Sequence, residues 1–182
     1  MHDLPQLAEL IKKRNLLERD ITALIGRPAE IGHIGEHIAS RVFHIALEES
    51  ASHKSIDGRF SDGLLKGRSV NIKWYARREG LLDITPDALP DYYLVLTGPK
   101  SAAMSSRGRV RPWIIEAVFL FEAQDLVVQL EARGLKIGIA SSIVQQFWEQ
   151  AEIYPIQSST KLMVTEEQRQ QLMLFRANSV GG

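Results

Sequence analysis

The stretch "SVNIKWYAR", residues 69–77, reads as a β-strand whose two faces differ in chemistry. Val70, Ile72 and Trp74 alternate with Asn71, Lys73 and Tyr75, the period of two that a pleated strand imposes. One face is apolar. The other carries an amide, an ammonium and a phenol in a row. A solvated second face would explain this for an isolated strand, so the meaning of Lys73 depends on what the flanking segments bring to it.

Just upstream, "SIDGRF" gives a short strand over Ile56–Phe60, and a turn through Asp62 and Gly63 to Gly67 joins the two strands as a hairpin. Asp57 is the polar residue of that first strand best placed to meet Asn71 and Lys73 across the ribbon. A tighter turn would bring Asp62 there instead. Further upstream, a helix is expected over Ala29–Glu49, with Ile31, Ile34, Ile38, Val42 and Ile45 on one stripe and Ala39, Phe43, Ala46 and Leu47 on another. A helix apolar on two sides is sandwiched between layers. The wheel sets Glu36 at the edge of the second stripe, and leaves His33, His37, Arg41, His44 and Glu48 on the polar face. Glu36, Asp57, Asn71 and Lys73 are therefore expected to converge. Two carboxylates and an amide oxygen suit a hard divalent cation such as magnesium. A lysine beside it can help orient or deprotonate an attacking water and offset charge that builds on a phosphoryl group.

This sequence of features, a helical Glu, "IDG" on a first strand and Asn71-x-Lys73 on a second, resembles the PD-(D/E)xK nucleases. The resemblance spans about Ala29 to Lys73 by motif and extends to Ala140 by element order. It implies a restriction-endonuclease-like α/β fold, a central mixed β-sheet flanked by helices, with an extra N-terminal helix and C-terminal helices. It also implies a magnesium- or manganese-dependent endonuclease that hydrolyses phosphodiester bonds of DNA. Asp57 would be the central metal ligand, Asn71 would stand in the usual acidic ligand position, Lys73 would be the catalytic lysine and Glu36 the accessory acid. Ile56 replaces the proline of the family's pattern. Asn71 in place of Glu removes one negative charge from the metal site, so a catalytically inactive nucleic-acid- or partner-binding module is the alternative on the same fold.

The rest of the chain fits one domain over residues 1–176, with an N-terminal helix in 1–28, a nuclease-like core in 29–140, C-terminal helices in 141–176 and a disordered tail in 177–182. Strands are expected at Asp91–Gly98, Trp113–Phe121 and Leu135–Ala140, and a helix over Ala123–Arg133 closed by Gly134. Ser142 with Gln145 and Thr165 with Gln168 have capping-box spacing for two final helices. The chain has no cysteine, which excludes thiolate catalysis and disulfide frameworks and accords with a reducing, cytoplasmic setting. No apolar run is long enough to span a membrane, and no signal peptide is expected. Lys plus Arg equals Asp plus Glu at 22 each, so any nucleic-acid contact must be local. Arg77 and Arg78 beyond the strand, and Lys100, Arg107, Arg109 and Arg111 in a small-residue loop expected to be mobile, are the basic concentrations available for phosphate contacts. A homodimer or a partner protein is compatible with these features.

Other motifs carry less. "HIGEH", residues 33–37, has zinc-peptidase spacing, but its histidines fall on the helix's polar face. Gly58 and Gly63 have Walker A spacing, yet Leu64 and Leu65 stand where Lys and Ser or Thr are required. Ser141-Ser142 reads as a helix N-cap, Pro86-Asp87 and Pro90-Asp91 as turns, and Trp74, Trp113 and Trp148 as core.

Overall fold

The computed structural model describes residues 3–48, 55–100 and 111–177. The expected loop at 101–110 and the tail from 178 onward lie outside the described residues. In chain order the elements are α1 (Asp3–Ile25), α2 (Ile31–Val42), β1 (Ile45–Leu47), β2 (Gly58–Phe60), β3 (Ser69–Tyr75), β4 (Leu81–Leu82), β5 (Tyr92–Thr97), β6 (Ala117–Glu122), α3 (Ala123–Ala132), β7 (Ser141–Ser142), α4 (Gln145–Ala151), β8 (Glu152–Tyr154) and α5 (Glu166–Met173). The main sheet has six strands in the order β1-β2-β3-β5-β6-β8. β3 and β5 run parallel and the other neighbours antiparallel, so the sheet is mixed. No helix among the described residues is long and apolar enough to cross a membrane.

The alternation along β3 sorts the two layers. Val70, Ile72 and Trp74 pack with Leu94, Leu96, Val118 and Leu120 of the neighbouring strands and with Ile38, Ala39 and Val42 of α2 and Leu172 of α5. On the opposite face, Tyr93, Val95, Phe119 and Phe121 pack under α3 and α4, with Phe119 and Phe121 edge-on to Trp148 at 4.8 and 5.0 Å between ring centroids. α2 sits close on β3 because Gly35 has no side chain: a Cβ there would stand 2.9 Å from the Trp74 Cβ. The second face of β3 is not wet at Asn71, which is only 4% exposed.

Several expectations need correction. The helix expected to reach Glu49 stops at Val42, because His44 takes a left-handed φ of 51° and the chain turns into β1, which pairs with β2 from Ile45 opposite Phe60. "LKIGIA" is not a strand: Gly138 and Ala140 have positive φ, and only Ser141–Ser142 forms β7, paired with β4 in a separate two-stranded sheet. That pairing removes Ser142 from helix capping, and α4 starts after Val144 without a side-chain cap. The Thr165–Gln168 capping box does form. The strand expected from Trp113 begins at Ala117 and lies between β5 and β8, and Trp113 is 47% exposed.

Asp91, read from its Pro-Asp context as a turn residue, clamps the start of the parallel β3/β5 pair. Its Oδ2 accepts from the Ser69 N–H at 2.7 Å and the Ser69 hydroxyl at 2.8 Å, and Arg68 donates to Oδ1 at 3.0 Å. Burial opposes ionisation, but the Ser69 donors and Arg68 outweigh it and hold the carboxyl below its ordinary value. A depressed folded-state value stabilises above the unfolded value and is lost as pH falls through the folded one. Asp91→Ala is expected to lose about 1–2 kcal/mol at pH 7 in urea unfolding, with the difference from wild type shrinking in acid.

Candidate active site

Asp57 immediately precedes β2 and is pinned from both sides. Its N–H donates to the Val70 carbonyl at 2.9 Å, and its own carbonyl accepts from the Glu48 N–H at 2.9 Å. β2 is too short to reach Ile72, whose N–H would otherwise lack a partner at the ribbon's edge. The Asp57 carboxylate takes that place, accepting from Ile72 N at 2.6 Å. This fixes Oδ2 at Ile72, the residue between Asn71 and Lys73 in the chain.

The same carboxyl is held above its ordinary range. Burial is the main cause and the nearby Glu36 adds to it, while the Ile72 N–H, Lys73 and Arg27 pull the other way. Asp57 thus feels the acid of α2 and the lysine of β3 together. The arrangement differs from the expected one in a specific respect: α2 covers the Val70/Ile72/Trp74 face, whereas Asn71 and Lys73 point to the other. Asp57, at the start of the inner strand β2, is within electrostatic reach of Glu36 on one side and Lys73 on the other. Glu36 is mostly buried, with 16% of its side chain exposed, and accepts from Arg27.

The Asn71 Oδ1 is buried without a hydrogen-bond partner. Such an orphan acceptor costs about 1–3 kcal/mol unless a donor or cation meets it. Asn71 and the half-buried Lys73 line a cleft of about 570 Å³ with Ser55, Ile84, Thr85, Pro86, Gly138 and Ile139. Its far wall is two loops tied together by Asp83. Asp83 Oδ1 accepts from the Ala140 N–H at 2.8 Å, Oδ2 is 3.3 Å from the Tyr75 hydroxyl, and the Ile84 N–H donates to the Gly138 carbonyl at 3.0 Å. Burial, with Asp83 adding to it, pushes the Tyr75 phenol far above its ordinary range, so it stays a neutral donor.

Asp62 stands apart, exposed at the turn and bound to His44 Nδ1 at 2.6 Å. His33 Nδ1 lies 3.1 Å from the Pro28 carbonyl, and His37 is pulled below its ordinary value by burial and then Arg41. Of the basic residues, Arg78 lays its guanidinium over the Phe119 ring at 5.1 Å and serves packing. Arg111 reaches Glu79 at 3.6 Å, Lys100 is exposed and bridged in backbone pairing to Arg78, and Arg77 is half-buried. Arg107 and Arg109 lie outside the described residues.

Sequence reasoning missed Arg27 and Asp83, and read Tyr75 by its parity as the third polar residue on the face of Asn71 and Lys73 without giving it a role. Arg27 sits in the turn before α2, outside any periodic pattern. Among the described residues no group of three or more His, Cys, Asp or Glu side chains is arranged to hold a metal ion. The oxygen set here is of another kind, the Asp57 carboxylate and the partnerless Asn71 amide oxygen, with the Glu36 carboxylate on the α2 side of the sheet. It suits a hard cation in chemistry, with Glu36 engaged by Arg27. A scan against protein-family models finds no match to the chain, and a search of curated proteins finds none either.

Proposed function

We propose that this chain is a metal-dependent nuclease of restriction-endonuclease-like fold, acting on phosphodiester bonds of DNA. The observation that carries the reading is the position of Asp57, a half-buried carboxylate held on the Ile72 N–H at 2.6 Å within electrostatic reach of Glu36 and of Lys73. Asp57 and the orphan Asn71 Oδ1 would hold magnesium or manganese, while Glu36, on the α2 side of the sheet and paired with Arg27, would act through the Asp57 carboxyl and not as a ligand. Bound there, the cation would supply Lewis-acid polarisation of the scissile phosphodiester. Lys73 places an ammonium in the cleft, where it stabilises charge accumulating on the phosphoryl oxygens. The Ile72 N–H fixes the Asp57 carboxylate in orientation. Tyr75 and Asp83 hold the opposite wall, and Lys100 and Arg111 are available for phosphate contacts outside it.

The test is cleavage of plasmid DNA with magnesium or manganese. Lys73→Ala is expected to lower the rate by about 10²–10³-fold with an unchanged melting temperature. Equal rates in both proteins would remove Lys73 from the chemistry. The Arg27–Glu36 ion pair and the neutral Asn71 favour a second reading, a catalytically inactive nucleic-acid- or partner-binding module. That reading requires salt-sensitive DNA binding that neither metal nor Asp57 affects.

A further inference from the structure

α1 runs for 23 residues and buries none of them, although it carries seven large apolar side chains that are exposed. In proteins most of a helix's stability comes from packing of its apolar face. Its own domain covers little: Arg14, Glu18 and Thr22 only border an open cleft opposite Pro28 and the exposed Trp113.

Five of the apolar positions repeat in a heptad, with Leu4, Ile11 and Leu16 outside it. Leu7, Leu10, Leu17, Ile21 and Leu24 fall at alternating spacings of three and four, with Arg14 the one polar residue in the seam. Leu10, Leu17 and Leu24 are 54%, 64% and 79% exposed. We infer that α1 is an interaction surface for a second copy of this chain, pairing with the second copy's α1 as an antiparallel two-stranded coiled coil.

Charge selects this arrangement. A parallel pair would stack Arg14 on the second copy's Arg14 in the seam. The antiparallel pair instead sets Leu7 on the second copy's Leu24, Leu10 on its Ile21 and Arg14 on its Leu17. It also aligns Lys13 with the second copy's Asp20, and by symmetry Asp20 with its Lys13. Sliding by one heptad in either direction would oppose Lys13 to Lys13 or Asp20 to Asp20. Arg14 can lie in the seam because its guanidinium reaches outward to Glu18 at 2.6 Å in its own helix. On the helix Lys12, Lys13, Arg14 and Arg19 balance Asp3, Glu9, Glu18 and Asp20, so no net charge draws it to an anionic lipid surface. The inference rests on α1 alone and is independent of the nuclease reading.

The chain has no cysteine, so introduced thiols are the only ones present. Leu10→Cys combined with Ile21→Cys is expected to give a covalent two-chain species under mild oxidation, and each single variant to give none. Within one helix these positions are about 16 Å apart, beyond disulfide reach, so the bond must join two chains. Dimers from the single variants would mean parallel pairing and overturn the proposal, as would no dimer from the double variant. Sedimentation supplies an independent reading on chains without thiols. The wild type is expected at two-chain mass, and a variant with Leu7, Leu10, Leu17 and Leu24 all replaced by Gln at one-chain mass with the same domain melting temperature. Lys13→Glu is expected to weaken association about fivefold, and adding Asp20→Lys to restore it. A wild type of one-chain mass at every concentration, including one that co-sediments with lipid vesicles, overturns the proposal.

Discussion

Asp57→Asn is expected to abolish metal-dependent cleavage, a loss of about 10⁴-fold, while raising the melting temperature at neutral pH. The two effects have one cause. The carboxylate is desolvated, and neither the Ile72 N–H nor the Lys73 and Arg27 charges compensate fully, so its proton affinity in the fold is raised. A raised folded-state value means that the group's contribution favours folding below its unfolded value and is lost as pH rises through the folded one. At pH 7 the ionised side chain therefore weakens the fold. Asn keeps an acceptor for the Ile72 N–H and removes the charge, for a gain of about 1 kcal/mol, or a few degrees. The gain should vanish as pH is lowered to the range where wild-type Asp57 is itself protonated. Added magnesium should raise the melting temperature of the wild type and leave the variant unmoved, because a cation is the missing compensation. A variant less stable than wild type at pH 7 would show that Asp57 serves chiefly as the edge cap of β3.

Gly58→Ala is expected to be strongly destabilising. A Cβ at Gly58 would stand 2.6 Å from the Ala46 carbonyl oxygen and 2.7 Å from the Ile45 Cγ2, both in β1. β1 is held by pairing along β2, so the strand must move as a unit and its ladder must loosen. The expected cost is about 3 kcal/mol, read as a melting temperature about 10 °C lower. Cleavage should fall as well, because Asp57 takes its backbone position from Glu48 at the end of β1 and from Val70 in β3. Gly32→Ala is the control: nothing lies within 4 Å of its added Cβ, and it sits in the α2 helix. It should leave stability unchanged or slightly raised, as helix propensity dictates. Equal melting of the Gly58 variant and wild type would mean that β1 does not press on the "IDG" turn.

How much of this could be read from the sequence depends on the kind of signal each element carries. β3 was legible because its alternation is strict, although both of its faces are buried through Ile72. Asp57 and Lys73 were legible as neighbours because side-chain parity and a short turn limit where they can go. The side of the sheet that α2 covers was not legible, since two apolar stripes say that a helix is sandwiched without saying which face it takes. β1 was hidden because Ile45, Ala46 and Leu47 continue the helical spacing of α2, and the left-handed turn at His44 leaves no periodic trace. "LKIGIA" has the composition of a strand, but positive φ at Gly138 and Ala140 prevents a ladder. β8 is three residues long and follows α4 directly, too short for any period to register. Arg27 escaped for a related reason: its role comes from a turn that folds it onto Glu36.

The central claim is that Asp57 and Asn71 form a cation site beside Lys73. Crystals soaked in manganese and measured at a wavelength where manganese scatters anomalously test it most directly. The expected result is a single strong anomalous peak within coordination distance, about 2.1–2.3 Å, of an Asp57 carboxylate oxygen and the Asn71 Oδ1, absent from crystals of Asp57→Asn. A manganese-soaked wild-type crystal with no peak at Asp57 on the Asn71/Lys73 side of β3, or with Asn71 turned away from the ion, would contradict it.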